Sequence, residues 1–129
     1  DTAREGGLFR VVLIHHPPIP GRYKWRKRLV DSRATSDVIR QSGAELVLHG
    51  HTHRLTGTSL EGTDGRRIPI IGLSSASAGE VSPERAARYS LWTVTRTGDC
   101  FQLQHRSRVY DASSHRIREG HDWNPLHDQ

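Results

Sequence analysis

Five of the nine histidines in this 129-residue chain fall into two tight groups, His15-His16 and His49-Gly50-His51-Thr52-His53. Neutral imidazole is a ligand for zinc, iron, manganese, nickel and copper. Side chains alternate along an extended strand, so an extended second group points the rings of His51 and His53 to the same side. Gly50 between the histidines allows the backbone to approach a ligand closely. Two histidines can then share one ion, or serve one each of an adjacent pair. A single histidine at a strand end is ordinarily a hydrogen-bonded surface residue. Two such groups, each closing an apolar run and separated by one helix, make metal binding the better reading.

The runs that position these groups are short. Phe9 to Ile14 is continuously apolar apart from Arg10 and predicts a buried, parallel strand that stops at His15-His16-Pro17-Pro18. Proline cannot continue a hydrogen-bonded ladder, so a loop begins there. A helix is predicted from about Asp31 to Ser42, with Asp31 or Ser32 as its cap and Gly43 after its end. Val30, Ala34 and Val38 recur at four-residue spacing and are expected to form its apolar face. Ala44 to Leu48 predicts a second strand, ending at His49. Strand, helix and strand in succession make a parallel unit, and functional groups in such sheets gather at the C-terminal strand ends.

Further strands are predicted at 54–60 and 66–73, turning at Asp64-Gly65, and at Tyr89–Thr95 and Phe101–Tyr110, turning at Thr97-Gly98-Asp99. The expected fold class is α/β (α+β), mostly one mixed sheet with one or two helices. Residues 1–111 are assigned to the domain, and the polar segment 112–129 to a tail. Ser74, Ser75 and Ser77 lack the paired base that a serine nucleophile needs, and read as a structural turn. His115, His121 and His127 match neither helix nor strand spacing and receive no metal role.

Lys and Arg number 19 against 14 Asp and Glu, so the formal charge of +5 favours anionic partners such as phosphate esters. Five of the seven residues from Arg22 to Arg28 are basic, interleaved with Tyr23 and Trp25. Arg22, Lys24 and Arg26 are candidates for the rim of a substrate mouth, because this loop leaves directly from His15-His16. One cysteine, Cys100, excludes an intrachain disulfide framework and reads as a half-buried strand residue. No apolar run approaches the roughly 20 residues that span a bilayer, so no membrane partner is expected. The chain reads as starting within a longer protein, and a cytoplasmic, bacterial setting is the expectation.

Val11-Val12-Leu13-Ile14-His15-His16-Pro17-Pro18, followed by Leu46-Val47-Leu48-His49-Gly50-His51-Thr52-His53, resembles the last two signature blocks of the calcineurin-like metallophosphoesterases. It looks most like the bacterial class III cyclic-nucleotide phosphodiesterase-like phosphohydrolases, and the likeness covers roughly residues 8 to 111. The resemblance implies the C-terminal part of a four-layer αββα sandwich and a centre of two divalent ions (iron, manganese or zinc). By position, it implies His15 and His51 as ligands of the second metal and His53 as a ligand of the first. His16, the tentative catalytic residue, and His49 would support the ligands from outside the metal shell. His49 reads equally well as an ordinary polar strand residue.

The family's Asp-x-His, Gly-Asp and Gly-Asn-His blocks have no counterpart here. Before His15 the acids are Asp1 and Glu5, and the first asparagine is Asn124. The bridging carboxylate is therefore absent, and imidazoles alone do not offset the repulsion between two close divalent ions. The expectation is phosphoester hydrolysis by the complete protein, acting as a phosphodiesterase or phosphatase, with this chain inactive alone and its own metal content partial or nil. Its expected partners are a phosphoester substrate and either the missing N-terminal half or a second copy covering an exposed sheet edge. The alternative is a basic, non-enzymatic module for nucleic acid or acidic partners; nucleic acid is the weaker expectation.

Overall fold

Parallel pairing of two short apolar runs organises the half of the molecule that carries the histidines. A computed structural model describes residues 5–21, 29–78 and 85–120. The elements are β1 (Val11–Ile14), α1 (Ser32–Ser42), β2 (Leu46–His49), β3 (Thr56–Glu61), β4 (Arg67–Gly72), β5 (Arg88–Thr97), β6 (Cys100–Asp111) and β7 (Arg116–Glu119). The chain is thus α+β and mostly sheet. β1, β2 and β4 run parallel and β3 pairs antiparallel with β4, in the order β1-β2-β4-β3. Ile14, His49 and Gly72 are register partners across the three parallel strands, so all three strands end on one line.

One mixed sheet was the expectation; the described residues form two. β5, β6 and β7 make a separate antiparallel sheet. β5 and β6 pair from Arg88↔Val109 to Thr97↔Cys100, turning through Gly98 and Asp99 alone. Gly98 supplies the positive φ of 61° that so tight a turn demands. β7 corrects the assignment of 112–129 to a tail, since Arg116 to Glu119 pair with β6. All four of its residues are exposed, so the strand carries no apolar alternation to betray it. Ion pairs at the surface accompany it, Arg108 Nη1 to Glu119 at 2.9 Å and Arg118 Nε to Asp111 at 3.6 Å. Residues 121–129, with His121 and His127, lie outside the described residues. Cys100 opens β6 and is exposed, not half-buried.

The helix turns a different face inward from the one its valines suggest. Val30 and Val38 are 83% and 60% exposed, while Ser32, Ser36 and Ile39 are buried. Ile39 joins Ala44, Val47, Leu60, Ile68 and Ile70 in the core, with Val12, Ile14 and Ile19 packed against them. Ser36 Oγ donates to the carbonyl of Pro18. That bond satisfies a hydroxyl on the buried side of the helix, beside Ile39. Pro17 and Pro18 are themselves fully buried. The start of the loop after β1, at Pro17 and Pro18, is therefore packed against α1.

A clamp at the other end sets the β1–β2 register. Arg10 Nη2 and Nε donate to the two carboxylate oxygens of Glu45 at 2.8 and 3.0 Å, and the Arg10 backbone N–H donates to Oε2 at 2.6 Å. Arg10 Nη1 reaches the Ser42 carbonyl at 2.6 Å, tying in the helix end. Such a forked, charge-assisted pair fixes geometry as well as adding energy. On its far side β1 has no strand partner among the described residues, and Val11 and Leu13 are 44% and 76% exposed. No described helix is long and apolar enough to cross a membrane.

Burial pushes the Glu45 carboxyl up, but the hydrogen bonds and charge of Arg10 outweigh it and hold the group below its usual value. Its stabilisation is therefore complete above the ordinary glutamate range and is lost as pH falls through the depressed folded value. Glu45→Gln should cost about 2 kcal/mol in urea unfolding at neutral pH. The gap from wild type should close on acidification, and a gap that persists unchanged at low pH would refute the clamp.

Candidate metal centre

The chain departs from extended geometry as soon as β1 and β2 end, and that departure builds the site. His15 and His16 lie in a bend after Ile14. Adjacent residues of a strand point to opposite faces, but in the bend both rings turn toward the next strand end. Gly50 donates its N–H to the His15 carbonyl at 3.2 Å, continuing the β1–β2 contact past the last paired residues. The Thr52 N–H then returns to the Gly50 carbonyl at 2.7 Å, closing a three-residue turn with His51 at its apex. His51 takes a φ of 63° there. Left-handed backbone is uncommon outside glycine and costs energy, although histidine tolerates it better than most.

The turn brings three imidazoles together. His51 Nδ1 lies 3.2 Å from His15 Nε2. The ring centroids of His16 and His51 are 4.2 Å apart and those of His15 and His16 are 4.8 Å apart. One ring nitrogen from each of His15, His16 and His51 falls within 4.8 Å of the other two, a spacing that fits three ligands around one ion. His15 is exposed and the other two are half-buried, so the cluster opens to solvent. Among the described residues no carboxylate joins it. A recess of about 350 Å³ lined by Leu13, Ile14, His15, Leu48, His49, Gly50 and Leu73 lies beside it.

Of the histidines expected as ligands, His15 and His51 meet and His53 stands outside the trio. The reason is local. His51 and His53 both have positive φ, at 63° and 52°, so the segment is not extended and the two rings lose their common side. His53 is exposed. His16, expected only as a supporting residue, takes the third place. Its signal was present in Pro17 and Pro18, which stop the strand early enough for neighbouring histidines to converge. Arg22, Lys24 and Arg26 lie outside the described residues.

His49 supports the site from within the core. It is 2% exposed, and its Nδ1 lies 3.0 Å from the Gly50 carbonyl. Leu73 N–H donates to its carbonyl at 2.8 Å. The ring occupies space that only glycine at position 72 leaves open. A Cβ on Gly72 would overlap Thr56 Oγ1 and come within 2.8 Å of His49 Cε1. Thr52 Oγ1 and Ser74 Oγ, next to these same strand ends, are buried without hydrogen-bond partners among the described residues. The serine loop is otherwise a turn as expected, with the Ser77 N–H donating to Ser75 Oγ at 3.3 Å. His115 stands apart, its Nδ1 2.9 Å from the Tyr110 hydroxyl.

No family model matches the chain, and no curated protein matches it.

Zinc titration of the chain followed by calorimetry should separate the ligands from their neighbours. His15→Ala, His16→Ala and His51→Ala should each weaken binding by about tenfold or more, the scale on which even supporting groups act at metal sites. His53→Ala should leave affinity within about twofold, a difference under 0.5 kcal/mol. Equal losses at His53 and His16 would overturn this ligand set. Gly72→Ala should destabilise the fold by about 1–3 kcal/mol, as overpacking does. A thermal melt unchanged from wild type would show that His49 is not wedged as described.

Proposed function

We propose that this chain supplies the imidazole side of a metal centre in a metal-dependent hydrolase. More specifically, we read it as part of a calcineurin-like metallophosphoesterase, acting on phosphoester bonds in the manner of the class III phosphodiesterase-like phosphohydrolases. One observation carries the reading: His15, His16 and His51, from the ends of two parallel strands, bring ring nitrogens within 4.8 Å of one another. The donor set suits borderline divalent ions such as zinc or iron. Bound ions of this kind polarise a phosphoryl oxygen and lower the pKa of a coordinated water.

The chain's own residues have three tasks in this reading. His15, His16 and His51 hold the ion and orient it toward solvent. His49 and the buried Pro17-Pro18 pair keep the two turns from drifting apart, so little rearrangement is needed at the moment of binding. The excess of positive charge draws an anionic ester toward the strand ends. Carboxylate ligands for a second ion come, in this proposal, from a segment other than the described residues. Without them the chain binds but does not turn over substrate.

The test is hydrolysis of bis(4-nitrophenyl) phosphate by the complete protein, with divalent metal measured in the same preparation. His51→Ala should lower kcat/KM by at least about a hundredfold, or some 2.7 kcal/mol of transition-state stabilisation. A metal-free preparation that hydrolyses the ester, or a His51→Ala protein with unchanged rate, would remove the assignment.

A further inference from the structure

One row of side chains in the first sheet passes from buried to exposed as it nears the histidine cluster. Ile71, Leu48 and Leu13 are register partners on β4, β2 and β1. Partners in register stand on the same face of a pleated sheet. Ile71 is 0% exposed, Leu48 is half-buried and Leu13 is 76% exposed. The face is covered over β4 and open over β1, and His15 follows two residues after Leu13.

The recess of about 350 Å³ lies at this opening. Leu13, Ile14, Leu48 and Leu73 make its lining aliphatic, and no Asp, Glu, Lys or Arg lines it among the described residues. Its histidines are His15 and His49. His49 is 2% exposed, so it adds little polar surface. His15 is the residue that recess and cluster share. Its Nε2 lies 3.2 Å from His51 Nδ1, on the cluster side. Its Nδ1 faces Gly50, 3.7 Å from where a Cβ would stand, and glycine puts no side chain against the ring at this junction.

Two chemistries therefore meet at one imidazole. Neutral nitrogen donors leave the charge of a divalent ion uncompensated, which favours an acidic group on whatever ligand arrives. The aliphatic lining favours an uncharged, apolar body on the same ligand, because such surface gains by leaving water. Lone exposed leucines need no explanation, but aliphatic surface that adjoins a cation site at the C-terminal ends of parallel strands stands where ligands bind. The volume falls within the usual range of small-ligand pockets.

We propose that this recess holds the organic group of the phosphoester and selects an apolar one, an aryl or short alkyl group in place of a sugar. Leu13 is the specificity-determining residue, and Leu48 and Leu73 complete the surface. The cluster takes the acidic head of the same ligand, so the assignment rests on the metal-centre reading above and deepens it.

The zinc-loaded chain is titrated by calorimetry with phenylphosphonate, methylphosphonate and ribose 5-phosphate. Phenylphosphonate should bind about tenfold more tightly than methylphosphonate, the gain from burying part of a ring, and more tightly than ribose 5-phosphate. Leu13→Gln alters an exposed position while keeping the side chain's length. It should cut the preference for the phenyl group to about twofold or less, with affinities for zinc and for methylphosphonate unchanged within about twofold. Failure of zinc to bind would remove the metal centre itself and the recess assignment with it. Zinc binding with equal affinity for the two phosphonates would overturn the recess alone. So would a phenyl preference that survives in Leu13→Gln, or tighter binding of ribose 5-phosphate. Loss of the preference as protein concentration rises would show a second copy covering Leu13, and would overturn it as well.

Discussion

The register of β1 on β2 is the constraint on which the histidine site depends. Val11 lies opposite Leu46 and Ile14 opposite His49. With that alignment the strands end together, and the bends that follow place His15 beside Gly50 and His51. A slip of one residue would carry every β1 side chain to the other face of the sheet. It would also remove the Gly50 N–H from the His15 carbonyl. Arg10 and Glu45 hold the alignment at the opposite end of the strands, through three hydrogen bonds from Arg10 to the Glu45 carboxylate and one from the Glu45 N–H to the Arg10 carbonyl. A four-residue strand has too few ladder bonds to resist slipping alone, which is why the charged fork matters more here than in a long sheet.

The site itself is made by leaving the strands. Two prolines stop β1, and their burial under α1 is secured by the hydroxyl of Ser36. A three-residue turn stops β2, with His51 held at positive φ. Unfavourable backbone of this kind persists where the surroundings over-determine it. The surroundings here are the His49 ring, fitted against Gly72, and the Leu73 amide on the His49 carbonyl. Rigid strands thus carry the load, and the short irregular segments beyond them do the aiming.

The second sheet follows another logic. Its strands alternate between half-buried and exposed positions along much of β5 and β6. Trp92 stacks on His105 with centroids 4.3 Å apart, and Phe9 meets Phe101 edge-on at 5.3 Å. These contacts lie on positions alternate to Tyr89 and Arg108, which stand on the other face of the sheet. One face of the sheet is used for packing and the other is the more exposed.

Much of this was legible from residue order alone. Every expected strand is present within a few residues of its expected bounds, because apolar runs, Asp64-Gly65 and Thr97-Gly98-Asp99 are local signals with local causes. The two histidine groups at strand ends were equally plain. Three things were not. The helix face was misjudged because Ile39, packed in the core, and Ser36, bonded to the Pro18 carbonyl eighteen residues away, take the buried side in place of the valines. β7 was hidden because a strand exposed on all its residues has no hydrophobic period. The place of His16 inside the cluster and of His53 outside it depended on backbone geometry, at positions 51 and 53 among others, that a pattern of alternating side chains does not contain. Sequence by itself determined which residue types stand at the strand ends, since periodicity and proline act within a few residues. Tertiary structure alone decided which of those rings meet, since a meeting between residues 15 and 51 depends on register and turn geometry that no local window holds.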